Sequence, residues 1–206
     1  YMKESIKIQL PEDNSDITLE QSQKYLNIAG RENLSDLDKT KRVVKMFTGL
    51  KTKEVDAMDL SDYEGIVGQI SVALNTEVDF THTFTLGGVE FGFIPNLDEM
   101  TTGEYIDLTA AGVSSDTLHK VMGILFRPII KKDGLGHYEI ERYTANKKND
   151  ELMKQAPMNI VSGMLVFFYH LSNELQKCIQ KSMEGIVEEE KSKQAHTLQN
   201  GDGIPR

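Results

Sequence analysis

Apolar and polar residues alternate at the start of the chain, where Ile6, Ile8 and Leu10 are separated by Lys7 and Gln9. That spacing predicts a half-buried strand, ended by Pro11 and the acidic turn Glu12 to Asp16. The period then becomes helical. Thr18 and Gln21 form a Thr-x-x-Gln capping box that opens a helix running to about Ala29, with Gly30 closing it. Ser35 opens the next helix, whose expected buried side is Leu37, Val43, Val44 and Phe47. From Val43 to Ile70 the pattern reads as three short helical pieces joined by minimal turns. Gly49 supplies a stop, Thr52 a cap for Lys53 to Met58, and Ser61 a cap for a helix carrying Tyr63, Ile66, Val67 and Ile70. This helical module, about 17–75, contains no residue placed for catalysis.

The period changes again after Asn75. Val78, Phe80, His82 and Phe84 alternate, Leu86-Gly87-Gly88 turns the chain, and Val89, Phe91 and Phe93 alternate in return. A β-hairpin over 78–94 follows from that pattern. Thr101 or Thr102 caps a short segment through Leu108, and Ser114 or Ser115 caps a helix from Asp116 to Phe126 that Pro128 ends. Lys131 to His137 reads as a polar loop, and 138–143 as a third strand that joins the hairpin. Pro157 stands at the first turn of a long helix. Its apolar positions run from Val161 through Met164, Phe168, Leu175 and Cys178 to Met183. Between Met164 and Tyr169 that helix is apolar nearly all round, which predicts burial on several sides. The expected fold is α+β and mainly helical, with a small antiparallel sheet and a long C-terminal helix. Residues 1–187 form one domain, and 188–206 a polar tail that is disordered or ordered by a partner.

Composition narrows the function. The 206 residues are 39% hydrophobic and 27% charged, ordinary for a globular chain. The net charge of -9 opposes nucleic-acid binding. The basic clusters Lys39 to Arg42, Lys131-Lys132 and Lys147-Lys148 are small and flanked by acids. One cysteine, Cys178, excludes an intrachain disulfide framework and a multi-cysteine zinc site. Met2 to Asp13 hold no signal-peptide core, and the longest apolar run, Ile160 to Leu171, is too short to span a bilayer. A soluble protein of a reducing cytoplasm is expected.

No pattern announces an enzyme or a bound cofactor. Asp98, Glu99, Glu104 and Asp107 cluster without the spacing of a calcium loop and fit helix N-terminal acids better. His82, His119, His137, His170 and His196 form no H-x-x-x-H pair. Arg127, between Phe126 and Pro128 and followed by Ile129, should be partly buried and so require a carboxylate. Glu104 and Asp107 are the candidates for that structural ion pair. Ile179, Met183, Ile186 and Val187 make an apolar stripe on the long helix. The stripe either binds a partner or packs back on the same domain.

The order of a Thr-x-x-Gln helix, an apolar helix, FTGLKTKEVDAMDLSDYEGI and a hairpin resembles the tail assembly chaperones of tailed phages. The resemblance rests on Phe47-Thr48-Gly49-Leu50-Lys51, Glu54-Val55, Met58-Asp59-Leu60 and Tyr63, and covers most of 17–175. The stretches FIPNLDEMTTGEYIDL, LHKVMGILFRPI and YEIERY also look like proteins of tailed phages. The length, the hairpin and the long C-terminal helix depart from the usual chaperone. The resemblance implies a non-enzymatic protein of the bacterial host cytoplasm. It would bind the tape measure protein or tail subunits before polymerisation, with homo-oligomers possible and neither nucleic acid nor membrane as partner. The alternatives are a structural virion protein, such as a head–tail connector or tail component, and a phage inhibitor of a host protein.

Overall fold

The computed structural model describes residues 8–112, 114–145 and 147–199, without the side chains of 175, 178, 179 and 182–199. The fold is α+β and mainly helical, with one four-stranded antiparallel sheet. The chain divides into two units, Tyr1–Met164 and Leu165–Arg206.

Asn14–Asp16 form a single 3₁₀ turn, and α1 follows over Leu19–Ala29. The Thr18 hydroxyl accepts from Gln21 N while the Gln21 side chain accepts from Thr18 N, so both halves of the capping box are present. Tertiary bonds complete the end of the helix. Leu19 N donates to Ala156 O at 2.9 Å and Glu20 N to Lys154 O at 2.8 Å. Otherwise orphaned N–H groups thus meet carbonyls that follow another helix. Ile8 to Leu10 lie outside any strand; their apolar side chains Ile8 and Leu10 pack on a helical core instead of pairing in a sheet. Ile6 and Lys7 of that predicted strand lie outside the described residues.

The helices α2 (Asp36–Thr48), α3 (Thr52–Asp56) and α4 (Leu60–Leu74) form the predicted module. Gly49 closes α2 at φ 71°, a left-handed conformation that a side chain would oppose. The caps shift by one or two residues from expectation. Lys51 stands at the N-cap of α3 and Asp59 at that of α4. Val44, Leu50, Val55, Ile66 and Ile70 make the core of the module. Leu37 is not on the buried side: it is 60% exposed, two turns before Val44 at the start of α2.

The hairpin is shorter than predicted. Strands β1 (Thr83–Leu86) and β2 (Val89–Phe93) pair around Gly87 and Gly88, both at positive φ. Val78 and Phe80 stay outside the ladder; Phe80 instead sets its ring edge-on to Phe93. The sheet has a strand that the sequence pattern concealed. Helix α5 (Thr102–Ala111) leads to α6 (Leu118–Leu125), which passes without a loop into β3 (Phe126–Lys132). Pro128 therefore does not end a helix. It biases Arg127 toward extended backbone, and β3 pairs with β2 at Phe93↔Phe126, Gly92↔Arg127 and Phe91↔Pro128. The strand predicted over 138–143 is β4, Tyr138–Ile140; it follows β3 after the turn at Asp133 to His137, so the sheet order is β1-β2-β3-β4. Phe84, Phe91, Phe93 and Phe126 stack on one face through ring contacts of 5.3 to 5.7 Å. On the other face Gly92 leaves room for the Tyr138 ring, whose hydroxyl donates to Phe93 O at 2.9 Å.

Helix α7 (Lys147–Met153) and the long α8 (Met158–Gln199) complete the chain. Ile160, Val161 and Met164 of α8 are buried. Gly163 allows this helix to meet the backbone near Asp79, since a Cβ there would sit 2.6 Å from Asp79 O. The predicted all-round burial from Met164 to Tyr169 is absent: Val166 and Tyr169 are 41% and 66% exposed. The backbone from 188 to Gln199, in the tail expected to be disordered or ordered by a partner, is helical. Its glutamate-rich and lysine-rich sequence, with Glu189 four residues before Lys193, favours a helix without needing an apolar face. The stripe side chains Ile179, Met183, Ile186 and Val187 lie outside the described residues. No helix among the described residues is long and apolar enough to cross a membrane.

Candidate functional site

Two concave regions stand out, one in the helical module and one between α5, α6 and α7. The first is a groove of about 390 Å³ between α1, α2 and α4. Tyr25 of α1, Val43 of α2, and Val67, Ile70 and Leu74 of α4 give it an apolar floor, and Asp36 and Lys39 stand on its edge. Leu26 and Leu37, exposed at 47% and 60%, belong to the same two helices α1 and α2.

The second is a cavity of about 510 Å³ walled by α5, α6, the segment after β4, and α7. It is backed by a chain of polar contacts that begins at the cap of α5. The Thr101 hydroxyl and backbone N–H both donate to Glu104 Oε2 at 2.6 Å. The other oxygen, Glu104 Oε1, receives Arg127 Nη2 at 2.6 Å, and both side chains are buried. The Arg127 guanidinium lies 5.9 Å from the centre of the Tyr143 ring. The Tyr143 hydroxyl donates to Asp107 Oδ2 at 2.6 Å. Of the two acids expected beside Arg127, Glu104 meets it and Asp107 pairs with Tyr143 instead, because Glu104 at the third helical position reaches inward while Asp107 lies nearly one turn further along α5. Arg127 Nε has no hydrogen-bond partner among the described residues. Burial and the bond to Asp107 push the Tyr143 hydroxyl far above its ordinary value, so it stays protonated as a donor.

Across the cavity, Asp150 of α7 fits close to α6 because Gly123 has no side chain: a Cβ there would lie 2.5 Å from Asp150 Oδ1. Burial raises the Asp150 carboxyl above the usual carboxylate value, and it lowers the His119 imidazole below its ordinary value. His119 Nδ1 is 3.4 Å from Gln23 Nε2, which also donates to Ser115 O. Asp98, expected in the same acidic cluster, lies outside this cavity in a 3₁₀ turn, Leu97–Glu99, where Asn96 accepts from its backbone N–H. No group of three or more His, Cys, Asp or Glu among the described residues is placed to hold a metal ion. Sequence reading missed Tyr143, Asp150 and His119 as neighbours. The usable signal was Gly123 within an otherwise bulky helix, LHKVMGIL, which marks a close approach.

Comparison with protein-family models, with curated proteins and with solved structures finds no match to this chain.

Proposed function

We propose that this chain is a non-enzymatic phage assembly protein of the tail assembly chaperone kind, holding a helical segment of the tape measure protein or a tail subunit before polymerisation. The observation that carries the reading is the groove between α1, α2 and α4, with its apolar floor and charged edge. It lies in the module whose sequence bears the resemblance. An amphipathic helix presents apolar side chains at i, i+3, i+4 and i+7, and a groove of this chemistry receives them in the helix-in-groove manner. An acidic net charge of -9 keeps such a protein and its complexes from self-associating.

The test is affinity capture of the tagged full chain during infection, with mass spectrometry of what accompanies it. The expected result is the tape measure protein or a tail subunit in near-stoichiometric amount, and no copy of this chain in finished virions. Ser71, exposed at the groove, provides the control: Ser71→Arg should leave the melting temperature unchanged and remove the partner. Recovery of the chain in virions at fixed copy number would instead establish the structural alternative, a connector or tail component. A host protein as the sole specific partner would establish the inhibitor alternative.

A further inference from the structure

The two edges of the sheet are finished differently. At β4 the edge is irregular and charged. The register shifts between Ile129 and Lys131, Glu139 pairs with Lys131 at 2.8 Å, and only Tyr138–Ile140 lie in the strand. Short, bulged and charged edges resist pairing with another strand. At β1 the sequence is Thr83-Phe84-Thr85-Leu86, with no charge and no proline. Glu90, the residue opposite Thr85, is held by Lys132 at 2.6 Å, on the side of β2 away from β1. Phe93 N donates to His82 O at 2.8 Å. In the alternation of an antiparallel ladder, Phe84 with Phe91 and Leu86 with Val89 are then the bonded pairs. Thr83 and Thr85 therefore turn their N–H and C=O groups outward, and no hydrogen bond among the described residues reaches them. Thr85 is exposed and Thr83 half-buried.

We propose that the edge of β1 pairs with the same strand of a second copy of this chain, antiparallel about a two-fold axis, so that one sheet runs through both chains. The outward residues flank Phe84, and that spacing fixes a self-complementary register. Thr83 faces the partner's Thr85 and exchanges two backbone hydrogen bonds with it, Thr85 faces the partner's Thr83 in the same way, and Phe84 faces its own copy. Facing aromatic and threonine pairs of this kind stabilise a sheet. Phe84 already lies 5.7 Å from Phe91 and 5.3 Å from Phe126, so its copy extends an existing row of rings. The match of each side chain to its own kind, with no charge across the seam, favours a second copy over a foreign strand. At a net charge of -9 the copies repel one another over the rest of their surfaces. Pairing is therefore weak, confined to this uncharged edge, and tightens as salt screens the repulsion. The edge is separate from the α1–α2–α4 groove, so its test stands apart from the assembly role.

The experiment is sedimentation equilibrium of the full chain at concentrations up to about 1 mM, at low and high salt, with backbone amide exchange followed by NMR over the same range. The expected result is a reversible monomer–dimer equilibrium that strengthens with salt. Exchange at Thr83 and Thr85 should slow at least about fivefold as dimer accumulates, while Phe84 and Leu86, bonded to β2, exchange slowly throughout. Thr85→Pro removes an outward N–H and spares the β1–β2 ladder. It should weaken the dimer at least about tenfold, because the two-fold axis removes that bond twice, and leave the far-ultraviolet circular dichroism spectrum unchanged. If the variant fails to fold, exchange in the parent chain decides by itself. The proposal is overturned if the chain stays monomeric up to about 1 mM, which would leave the edge to a strand of another protein. It also fails if a dimer forms while Thr83 and Thr85 still exchange freely, or if a folded Thr85→Pro dimerises like the parent chain.

Discussion

In the module α2–α4 the Tyr63 hydroxyl is buried but no polar or charged residue is buried whole, while three of the five buried polar residues among the described ones, Glu104, His119 and Arg127, fall between α5 and the start of β3. The first region closes on Val44, Leu50, Val55, Ile66 and Ile70, with Val43, Phe47 and Val67 among the partly buried side chains packed against them. Its free energy comes from apolar area removed from water, and many packings of similar volume would serve. The second region buries an ion pair and sets a tyrosine, an aspartate and a histidine beside a cavity. Desolvation makes such groups costly, so each depends on one particular partner. The module is held by apolar volume, and the cavity region by particular polar pairings.

Removing one partner of the buried pair tests that contrast most strongly. Glu104→Ala leaves Arg127 charged, buried and without its carboxylate, and should destabilise the chain by about 3–5 kcal/mol in urea unfolding. The double change Glu104→Leu with Arg127→Met should recover most of the loss, because it removes both charges. A double variant as unstable as Glu104→Ala would mean that shape at this place matters more than charge.

Ile70→Ala in α4, at a position only 3% exposed, should cost about 2–5 kcal/mol through lost transfer energy and a cavity. Ile70→Val should cost only about 0.5–1.5 kcal/mol. A graded response of this kind marks a core held by volume. The same unfolding curves would show an abrupt response at Glu104.

Two glycines sharpen the comparison at smaller scale. A Cβ at Gly92 would lie 2.5 Å from Tyr138 Cε2, and that ring is tethered through its bond to Phe93 O. Gly92→Ala should therefore destabilise by about 1–3 kcal/mol, as overpacking does. Gly68, in the interior of α4, has nothing within 4 Å of an added Cβ. Gly68→Ala should stabilise by up to about 1 kcal/mol, because alanine loses less backbone entropy in a helix. Thermal melts of the two variants should move in opposite directions.

The elements legible in the sequence were those fixed by neighbours along the chain. Thr18 with Gln21, the stop at Gly49 and the turn at Gly87-Gly88 are all local, and each stands as read. Arg127 could be matched with Glu104 because a buried guanidinium requires an acid. Strand β3 was hidden because LHKVMGILFRPII stays apolar across the change from helix to strand, with no break in period at Phe126. The pre-proline position of Arg127 and the paired isoleucines after Pro128 were the better guides. The cavity was not legible, since Tyr143 reaches Asp107 across 36 positions and Gln23 reaches His119 across 96. Such pairings follow from how α5, α6 and α7 meet and leave no periodic trace. Asp107 was therefore assigned to Arg127 when its partner was a tyrosine far down the chain.

The smallest expected effect is a pH dependence, and it separates the buried histidine from the carboxyl beside it. Burial lowers His119 below its ordinary value of 6.5. In the unfolded chain it takes up a proton near that value, while the folded chain does not. Stability should then fall as pH drops below about 6.5, since the unfolded state binds more protons there. Asp150 acts in the opposite sense. Its folded value is raised above 3.8, so the folded chain binds the proton first, and stability rises as pH falls from that raised value toward 3.8. Lys154, Glu151, Asp150 and Lys120 bear on His119, and His119, Lys120, Glu151 and Asp107 on Asp150. None of them reverses either direction. His119→Gln should flatten the decline below pH 6.5, and Asp150→Asn should raise stability at neutral pH and lose that advantage in acid. Melting temperatures of both variants between pH 7.5 and about 4 measure the two slopes. An unchanged decline in His119→Gln would place the acid sensitivity elsewhere and remove the histidine from the polar region's distinguishing features.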